Sequence, residues 1–143
     1  MIPQNIYLTV DAMIFSKSGG HLKLLLITRK NEPSKGMWAL PGGFVENDEE
    51  LEAAAIRELH EETGMTLPAL KQLHTFGKVG RDSRFRTVSV VYYAFVDAED
   101  HTVAGGDDAA DAQWIKVEDI DDMAFDHFEI LKFALQELKD ELQ

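Results

Sequence analysis

Hydrophobic and polar positions follow two spacings along this chain, which predict strands in its first half and a helix at its end. Ile6–Phe15 and Leu22–Thr28 are dominated by aliphatic and β-branched residues, which favour strands, and Ser16–Gly20 between them is typical of a turn. Towards the end, apolar residues recur at spacings of three and four, which predicts an amphipathic helix. These residues are Phe128, Leu131, Leu135, Leu138 and Leu142.

Shorter apolar segments between these ends predict further extended structure, most clearly where Val, Tyr and Phe are frequent. They are Met37–Leu40, Leu70–Phe76, Thr87–Val96 and Gln113–Val117. Asn31–Gly36 is typical of a loop because it contains Pro, Ser and Gly. The run Pro41-Gly42-Gly43 predicts a sharp turn of the backbone.

The segment Asp48–Thr63 is predicted to be a helix, since its centre holds alanine and leucine, which are good helix formers. Asn47 or Asp48 can cap its first turn, where the helix dipole favours acidic residues. Gly64 follows as a residue suited to the left-handed conformation that ends a helix. The whole pattern predicts a β-sheet covered by helices, an α/β or α+β fold.

The chain has 143 residues, of which 45% are hydrophobic, so residues 1–143 are expected to form a single domain. No apolar stretch is long enough to cross a bilayer, and the lack of cysteine suits a reducing cytoplasm. The formal net charge of −12 opposes a nucleic-acid backbone, so neither a nucleic-acid nor a membrane partner is expected. It also opposes an anionic small substrate, unless bound cations reverse the sign locally.

Three glutamates, Glu58, Glu61 and Glu62, are spaced to bind such cations. On a helix, Glu58 and Glu62 lie about 40° apart and Glu61 lies about 60° to the other side of Glu58, so all three converge. A solvated acidic face is the alternative interpretation, and it fits Glu50 and Glu52. Like charges four residues apart destabilise a helix, however, and a hard divalent cation such as Mg²⁺ would neutralise Glu58 and Glu62.

The residues around these glutamates resemble a known family. From Gly43 to Met65 the sequence matches the Nudix box, G-x5-E-x7-R-E-U-x-E-E-x-G-U with U a bulky aliphatic residue, at every defined position. The segment Trp38–Glu46 is similar to the stretch that enters this box in many bacterial Nudix hydrolases. The resemblance implies a Nudix α/β/α sandwich, with a mixed sheet between helices. It also implies Mg²⁺-dependent cleavage of a nucleoside-diphosphate derivative, with Mn²⁺ as a substitute.

The resemblance assigns roles to residues of the box and of the segment before it. The three glutamates would be catalytic and would ligate the metal, with the carbonyl of Gly42 or Gly43 as a further oxygen. Glu49 and Arg57 would be structural, because an ion pair between them would orient the helix, and Gly64 would end that helix.

The general base is left open by the same resemblance. The proton of the attacking water would pass to a box glutamate or to an acid of a later loop. In that loop Asp108 is the first candidate and Asp107 the second, with a solvated turn as the alternative for both.

One basic cluster is expected to bind the substrate. Arg81, Arg84 and Arg86 are spaced so that at least two can share a face and reach phosphate. The segment 80–90 resembles the G-R-D-P-R stretch of a bacterial Nudix group. That group includes ADP-ribose pyrophosphatases and the ADP-ribose-sensing regulators of NAD metabolism. Ser83 stands where the group usually has Pro, and a proline that such hydrolases often carry downstream of the box is absent.

Other residues have two interpretations each. Arg29 ends a predicted strand and is expected either to touch phosphate or to lie on the surface. His127, within a segment that resembles the same group's C-terminal signature, is expected to cap or brace the last helix. Three aromatic residues would either stack on an adenine ring or pack in the core: Trp38, Phe85 and Tyr92.

The favoured function is an ADP-ribose pyrophosphatase that acts on a small-molecule nucleotide and gives AMP and ribose 5-phosphate. The alternatives are a hydrolase of oxidised nucleoside triphosphates or other nucleotide sugars, and a non-catalytic ADP-ribose sensor. The regulators carry a DNA-binding winged helix after the Nudix domain, and no such segment follows Gln143, which favours an enzyme. Similar proteins are usually homodimers, so a homodimer is expected.

Overall fold

The computed structural model describes residues 2–106 and 109–143, which contain seven strands and two α-helices. The strands are Ile6–Ser18 (β1), His21–Arg29 (β2), Trp38–Ala39 (β3), Gly42–Phe44 (β4), Lys71–Phe76 (β5), Arg86–Phe95 (β6) and Ala109–Lys116 (β7). The helices are Leu51–Thr63 (α1) and His127–Glu137 (α2), with short 3₁₀ turns at Ala98–Asp100 and Val117–Asp119. In this described part, neither helix has the length and apolar content needed to span a membrane.

All seven strands belong to one mixed sheet, with β1 near its centre. β1 pairs in parallel with β6 along ten register positions. Its other edge is shared, because Thr9–Asp11 pair antiparallel with β4 and Phe15–Ser18 pair antiparallel with β2. β3 and β7 both pair with β2, and β5 pairs with β6. The shared edge of β1 brings the glycines of β4 against Asp11.

Each face of the sheet is covered by one helix, because alternate strand residues point to opposite sides. On one face the core joins β1, β2 and β6 to α2 through Met13, Phe15, Leu24, Val91, Ile130 and Leu131, among others. On the other face the core joins the same strands to α1 through Val10, Ala12, Leu25, Val90, Ala55 and Leu59, among others. These layers confirm the predicted α/β/α sandwich.

Several predicted boundaries are wrong, for identifiable reasons. β1 continues to Ser18, so the turn consists of Gly19 and Gly20, both with positive φ, rather than Ser16–Gly20. The strand is longer because its last residues pair with β2. β7 begins before the predicted Gln113, since its pairing with β2 extends to Arg29.

The ends of both helices also differ from the predictions. α1 begins at Leu51 rather than Asp48, and its N-cap is Glu50, with no side-chain capping bond, rather than Asn47 or Asp48. The preceding residues form a separate turn in which the N–H of Glu49 donates to the carbonyl of Glu46. At its other end Gly64 has φ of 80°, which confirms the left-handed cap. α2 ends at Glu137, before the predicted Leu142.

Candidate active site

A cavity of about 480 Å³ opens between the C-terminal part of α1, β4 and the loops before β6 and α2. Its size lies within the range of small-molecule sites. Its walls carry both signs of charge. The acids are Asp11, Glu46, Glu58, Glu61, Glu62, Asp82 and Glu32, and the bases are Arg29, Arg57, Arg81 and Arg84.

The three glutamates predicted as metal ligands all line this cavity. Glu62 is buried, with 5% of its surface exposed, whereas the side chains of Glu58 and Glu61 are 15% and 38% exposed. The three therefore present carboxylates at increasing depth, from solvent to the cavity floor. Leu59 and Ala55 of the same helix are buried in the core. A fully solvated acidic face, the alternative interpretation, therefore does not fit Glu58 and Glu62.

Arg57 holds this group of acids together. Its Nη1 donates to Oε1 of Glu58 at 2.8 Å and to Oε2 of Glu61 at 3.1 Å. Its Nε and Nη2 donate to both carboxylate oxygens of Glu49, at 2.7 and 2.9 Å, which confirms the predicted Arg57–Glu49 ion pair. The hydrogen bond from Arg57 lowers the pKa of Glu49, and the reciprocal bond raises the pKa of Arg57. Nη2 also donates to the carbonyl of Phe44, so Arg57 ties α1 to β4.

Gly42 and Gly43 bring the β4 backbone into the cavity wall. The N–H of Gly42 donates to Oε1 of Glu62 at 2.7 Å. A Cβ atom at Gly42 would lie 2.2 Å from the carbonyl oxygen of Val10, and one at Gly43 would lie 2.6 Å from the carboxyl carbon of Glu58. The sequence predicted a sharp turn here. The chain does bend at Pro41, but Gly42 and Gly43 belong to a strand, because their lack of side chains lets them pack closely between β1 and α1.

The acidic residues fit a divalent cation in charge and in donor type. Carboxylate oxygens are the ligands that Mg²⁺ and similar hard cations prefer. The guanidinium of Arg57 bridges Glu58 and Glu61, which shows that positive charge is accommodated between them. Within 2–106 and 109–143, no three His, Asp or Glu side chains stand close enough together to hold an ion without rearrangement. Two of the predicted ligands, Glu58 and Glu61, are bound to Arg57 in this structure.

A second buried polar group lies on the floor of the cavity, and the sequence analysis missed it. Asp11 of β1 accepts a hydrogen bond from the hydroxyl of Ser89 on β6. Nε2 of His127 lies 3.8 Å from Oδ1 of Asp11, and Nδ1 of His127 accepts a hydrogen bond from the N–H of Leu40 at 3.0 Å. Burial lowers the pKa of His127, although Asp11 opposes this. Because Nδ1 accepts the hydrogen bond from Leu40, the neutral imidazole carries its proton on Nε2. The sequence feature that could have identified Asp11 is a single acidic residue within an otherwise largely apolar predicted strand.

The predicted substrate-binding arginines divide into two groups. Arg29, Arg81 and Arg84 line the cavity, whereas Arg86 is not among the described lining residues. Arg86 follows strand alternation onto the face opposite Thr87, which does line the cavity. Its Nη1 is buried without a hydrogen-bond partner in the described part of the chain.

The arginines that line the cavity are held by acids and by a carbonyl. Arg81 donates from Nη2 and Nε to the two oxygens of Asp126, at 2.8 and 3.0 Å, and its side chain is 5% exposed. Arg84 makes the same kind of two-pronged contact with Asp82. Burial raises the pKa of Asp82, but the hydrogen bonds from Arg84 outweigh it and leave the pKa lowered. Nε of Arg29 donates to the carbonyl of Pro33 at 2.8 Å.

Asp108 and Asp107, the predicted candidates for the general base outside the box, lie outside the described residues. The segment that leads to them packs against the end of α1. The N–H of Ala104 donates to the carbonyl of Thr63, and a Cβ at Gly106 would lie 2.5 Å from the carbonyl oxygen of Glu61. Gly106 is therefore fixed beside the helical turn that carries the glutamates.

The aromatic residues take different positions. Tyr92 is buried in the α1-side core and Trp38 packs against the α2-side core, so both follow the packing interpretation. Phe85 contacts Tyr7 and Phe44, and Phe44 lines the cavity. His127 lines the cavity and begins α2, as its predicted bracing role requires.

Comparison with known proteins gives consistent matches. A family model for the NUDIX domain matches residues 7–133. An ADPR-responsive transcriptional repressor, NtrR, from Acinetobacter baylyi is 40% identical over 135 residues, which are 92% of this chain and 54% of that protein. An ADP-ribose pyrophosphatase from Methanocaldococcus jannaschii is 41% identical over 110 residues, 77% of this chain and 64% of that protein. The chain thus spans about half to two thirds of these relatives' lengths.

A solved structure extends the likeness to the fold. The NUDIX domain of Shewanella oneidensis NrtR, complexed with ADP ribose, superimposes with a TM-score of 0.87 and is 35% identical. The match covers 94% of this chain and 90% of that one.

Proposed function

This chain belongs to the Nudix family, and we propose that it hydrolyses the diphosphate linkage of ADP-ribose to give AMP and ribose 5-phosphate with a divalent cation. The observation that carries the proposal is the cavity itself. Three carboxylates from one helix line it together with Arg29 and Arg84, so the same cavity offers ligands for a cation and donors for phosphate. The relative from Methanocaldococcus jannaschii, an ADP-ribose pyrophosphatase, supports the choice of substrate.

Different side chains have different roles in this reaction. Glu58, Glu61 and Glu62 hold the cation, with a backbone carbonyl of β4 as a further oxygen. When bound there, a divalent cation supplies charge neutralisation for the diphosphate and acidifies water at the site. Arg29 and Arg84 bind phosphate oxygens. Water attacks one phosphorus, the bridging P–O bond breaks, and the proton of the water passes to a box glutamate or to Asp108.

The experiment is a product analysis over a substrate panel with Mg²⁺ and, separately, with Mn²⁺. ADP-ribose is expected to give AMP and ribose 5-phosphate, whereas an oxidised nucleoside triphosphate would give pyrophosphate. If a triphosphate or another nucleotide sugar is cleaved in preference, ADP-ribose is not the substrate. Absence of turnover with every member of the panel would contradict a hydrolase.

Glu62→Gln tests the role of the deepest glutamate. We expect kcat to fall by roughly 10²–10⁴-fold, because the amide removes the negative charge. The fold is expected to survive, since the amide oxygen can still accept the hydrogen bond from the N–H of Gly42. Turnover close to that of the wild type would remove Glu62 from the catalytic set.

A second function, ADP-ribose sensing, is favoured by one observation. The repressor from Acinetobacter baylyi, whose name says that it responds to ADPR, is similar over 92% of this chain. Calorimetric titration would separate the two functions: tight binding of ADP-ribose with Mg²⁺ and without AMP release would indicate a sensor. Four further properties stay proposals from the sequence: a single domain over residues 1–143, a homodimer, a cytoplasmic location and the lack of a nucleic-acid partner.

A further inference from the structure

One wall of the cavity is built from arginine and aromatic side chains in alternation. The guanidinium carbon of Arg29 lies 4.7 Å from the centre of the Phe125 ring, and that of Arg84 lies 5.5 Å from the same ring. Both distances are within the range of cation–π attraction. Phe125 is therefore shared by two arginines of the substrate-facing wall, and we call these three residues the Phe125 wall.

The backbone of Phe125 adopts an unusual conformation. Its φ is 54°, in the left-handed region that a bulky side chain rarely occupies. Such a conformation persists only where the neighbouring structure holds it in place. Ala124 is fully buried and donates its N–H to the carbonyl of Trp38, and Asp126 is bound to Arg81. The next residue, His127, is also buried. Phe125 is thus fixed from both sides, and its ring is directed to one place in the wall.

The two arginines have fixed partners on their other sides. Asp82 binds the Nε and Nη2 edge of Arg84, and the carbonyl of Pro33 accepts from Nε of Arg29. Long arginine side chains lose much rotamer freedom when a ligand orders them. In the Phe125 wall that ordering is already present before a ligand arrives.

We propose that Phe125 is a positioning residue that sets the affinity of the cavity for the diphosphate of its substrate by holding Arg29 and Arg84 on its ring. The identity of that substrate rests on the proposed function. Phe125 does not itself touch the reacting atoms in this role. Its loss should therefore raise KM and leave kcat, which depends on the glutamates of α1, nearly unchanged.

The test compares Phe125→Leu and Phe125→Tyr with the matched control Phe128→Leu. Leucine keeps much of the apolar volume at the same strained backbone position but has no ring, whereas tyrosine keeps the ring. Phe128 lies at the start of α2, packs against the core and stacks with Lys132, away from the residues that line the cavity. We expect KM for ADP-ribose to rise about tenfold in Phe125→Leu, with kcat within about twofold, and to recover in Phe125→Tyr. Phe128→Leu should change neither constant.

Two further measurements separate positioning from a general loss of structure. In a double-mutant cycle, the effects of Arg84→Ala and Phe125→Leu on KM should be non-additive. Once Arg84 has been removed, the Phe125 ring no longer has that guanidinium to position, so its loss should matter less. By NMR, the Nε–H resonances of Arg29 and Arg84 should carry ring-current shifts in the wild type and in Phe125→Tyr. In Phe125→Leu the shift of Arg29 should be lost, and that of Arg84 should be reduced to the part caused by Phe85, whose ring centre lies 4.7 Å from its guanidinium carbon. Both shifts should be kept in Phe128→Leu.

The outcomes decide between the possibilities. An unchanged KM in Phe125→Leu, additivity with Arg84→Ala, or unaltered arginine resonances would overturn the proposal. A fall in kcat that tracks a fall in melting temperature, without recovery in Phe125→Tyr, would also overturn it. If the wild type cleaves none of the nucleotides, the proposed function fails, and the Phe125 wall is judged from the arginine resonances and from the Kd for ADP-ribose.

Discussion

Gly42 and Gly43 are neighbours in β4, but the atoms that exclude a side chain at each position are of different kinds. At Gly42 the obstacle is the backbone carbonyl of Val10, which belongs to the central strand and cannot move without distorting the sheet. At Gly43 the obstacle is the carboxylate of Glu58, the far end of a flexible side chain. At the scale of single residues, Gly42 therefore serves the fold and Gly43 leaves space for a functional group.

Alanine substitutions should separate these two roles. Gly43→Ala is expected to lower kcat by about tenfold or more with little change in the unfolding free energy, because Glu58 is displaced. Gly42→Ala is expected to lower the unfolding free energy by about 1–3 kcal/mol through overpacking. Gly77→Ala is the control, since its added Cβ would meet Val88 at an ordinary 3.6 Å. Urea unfolding and steady-state turnover give both quantities. Equal effects of Gly42→Ala and Gly43→Ala on stability would contradict the distinction.

At the scale of elements, α1 is oriented by its contact with a residue that lies before its first turn. Glu49 lies before the helix, and both its oxygens accept from Arg57 in the middle of the helix. Arg57 also reaches the carbonyl of Phe44 on β4. The loop, the helix and the strand are thus fixed to one another through one guanidinium, and the carboxylates of α1 are directed at the cavity as a consequence.

Glu49→Ala tests this arrangement. We expect the unfolding free energy to fall by about 1.5–3 kcal/mol, since charge-assisted hydrogen bonds between largely buried groups are lost. We also expect kcat to fall, because Arg57 becomes free to bind Glu58 and Glu61 more strongly. Glu50→Ala is the matched control, because Glu50 is exposed and makes no capping bond with its side chain. A loss of stability with unchanged kcat would show that Glu49 stabilises the fold but does not orient the catalytic glutamates.

The parts of the site that could be predicted are those set by local geometry. The spacing of Glu58, Glu61 and Glu62 on one helix predicts their convergence, and the structure places all three in the cavity. Asp11 and Phe125 could not be placed, because each enters the site through long-range pairing, with Gly42 for Asp11 and with Trp38 through Ala124 for Phe125. The strand β4 was predicted as a turn because glycine has low strand propensity, and its pairing with β1 is also long-range.

At the scale of the whole molecule, three groups make the fold sensitive to acid. The pKa values of His127, Glu49 and Asp82 are all lowered on folding, His127 by burial and Glu49 by the hydrogen bond from Arg57. For Asp82, burial raises the pKa and the bonds from Arg84 outweigh it. A group whose pKa falls on folding stabilises the protein above its ordinary pKa, and that stabilisation is lost as pH decreases. Acid should therefore destabilise the fold in two steps.

The first step belongs to His127 and should begin as pH falls below its ordinary pKa of 6.5. Asp11 and Asp126 oppose the shift, and Arg81 and Arg29 support it. The second step belongs to Glu49 and Asp82 and should begin below their ordinary values of 4.5 and 3.8. Urea unfolding from about pH 8 to about pH 3 measures both. In His127→Asn the first step should disappear and the second should remain; an unaltered first step would exclude His127 as its origin.

The parallel pairing of β1 with β6 has a consequence for how the chain reaches its fold. Ile6 pairs with Arg86 and Phe15 with Phe95, each pair eighty positions apart, so the centre of the sheet has a high contact order. Such topologies refold slowly, because the entropy of closing the chain is lost before the non-local contacts can stabilise it. During synthesis, β1 has to wait for β6 to emerge from the ribosome, and until then its apolar residues are exposed to aggregation.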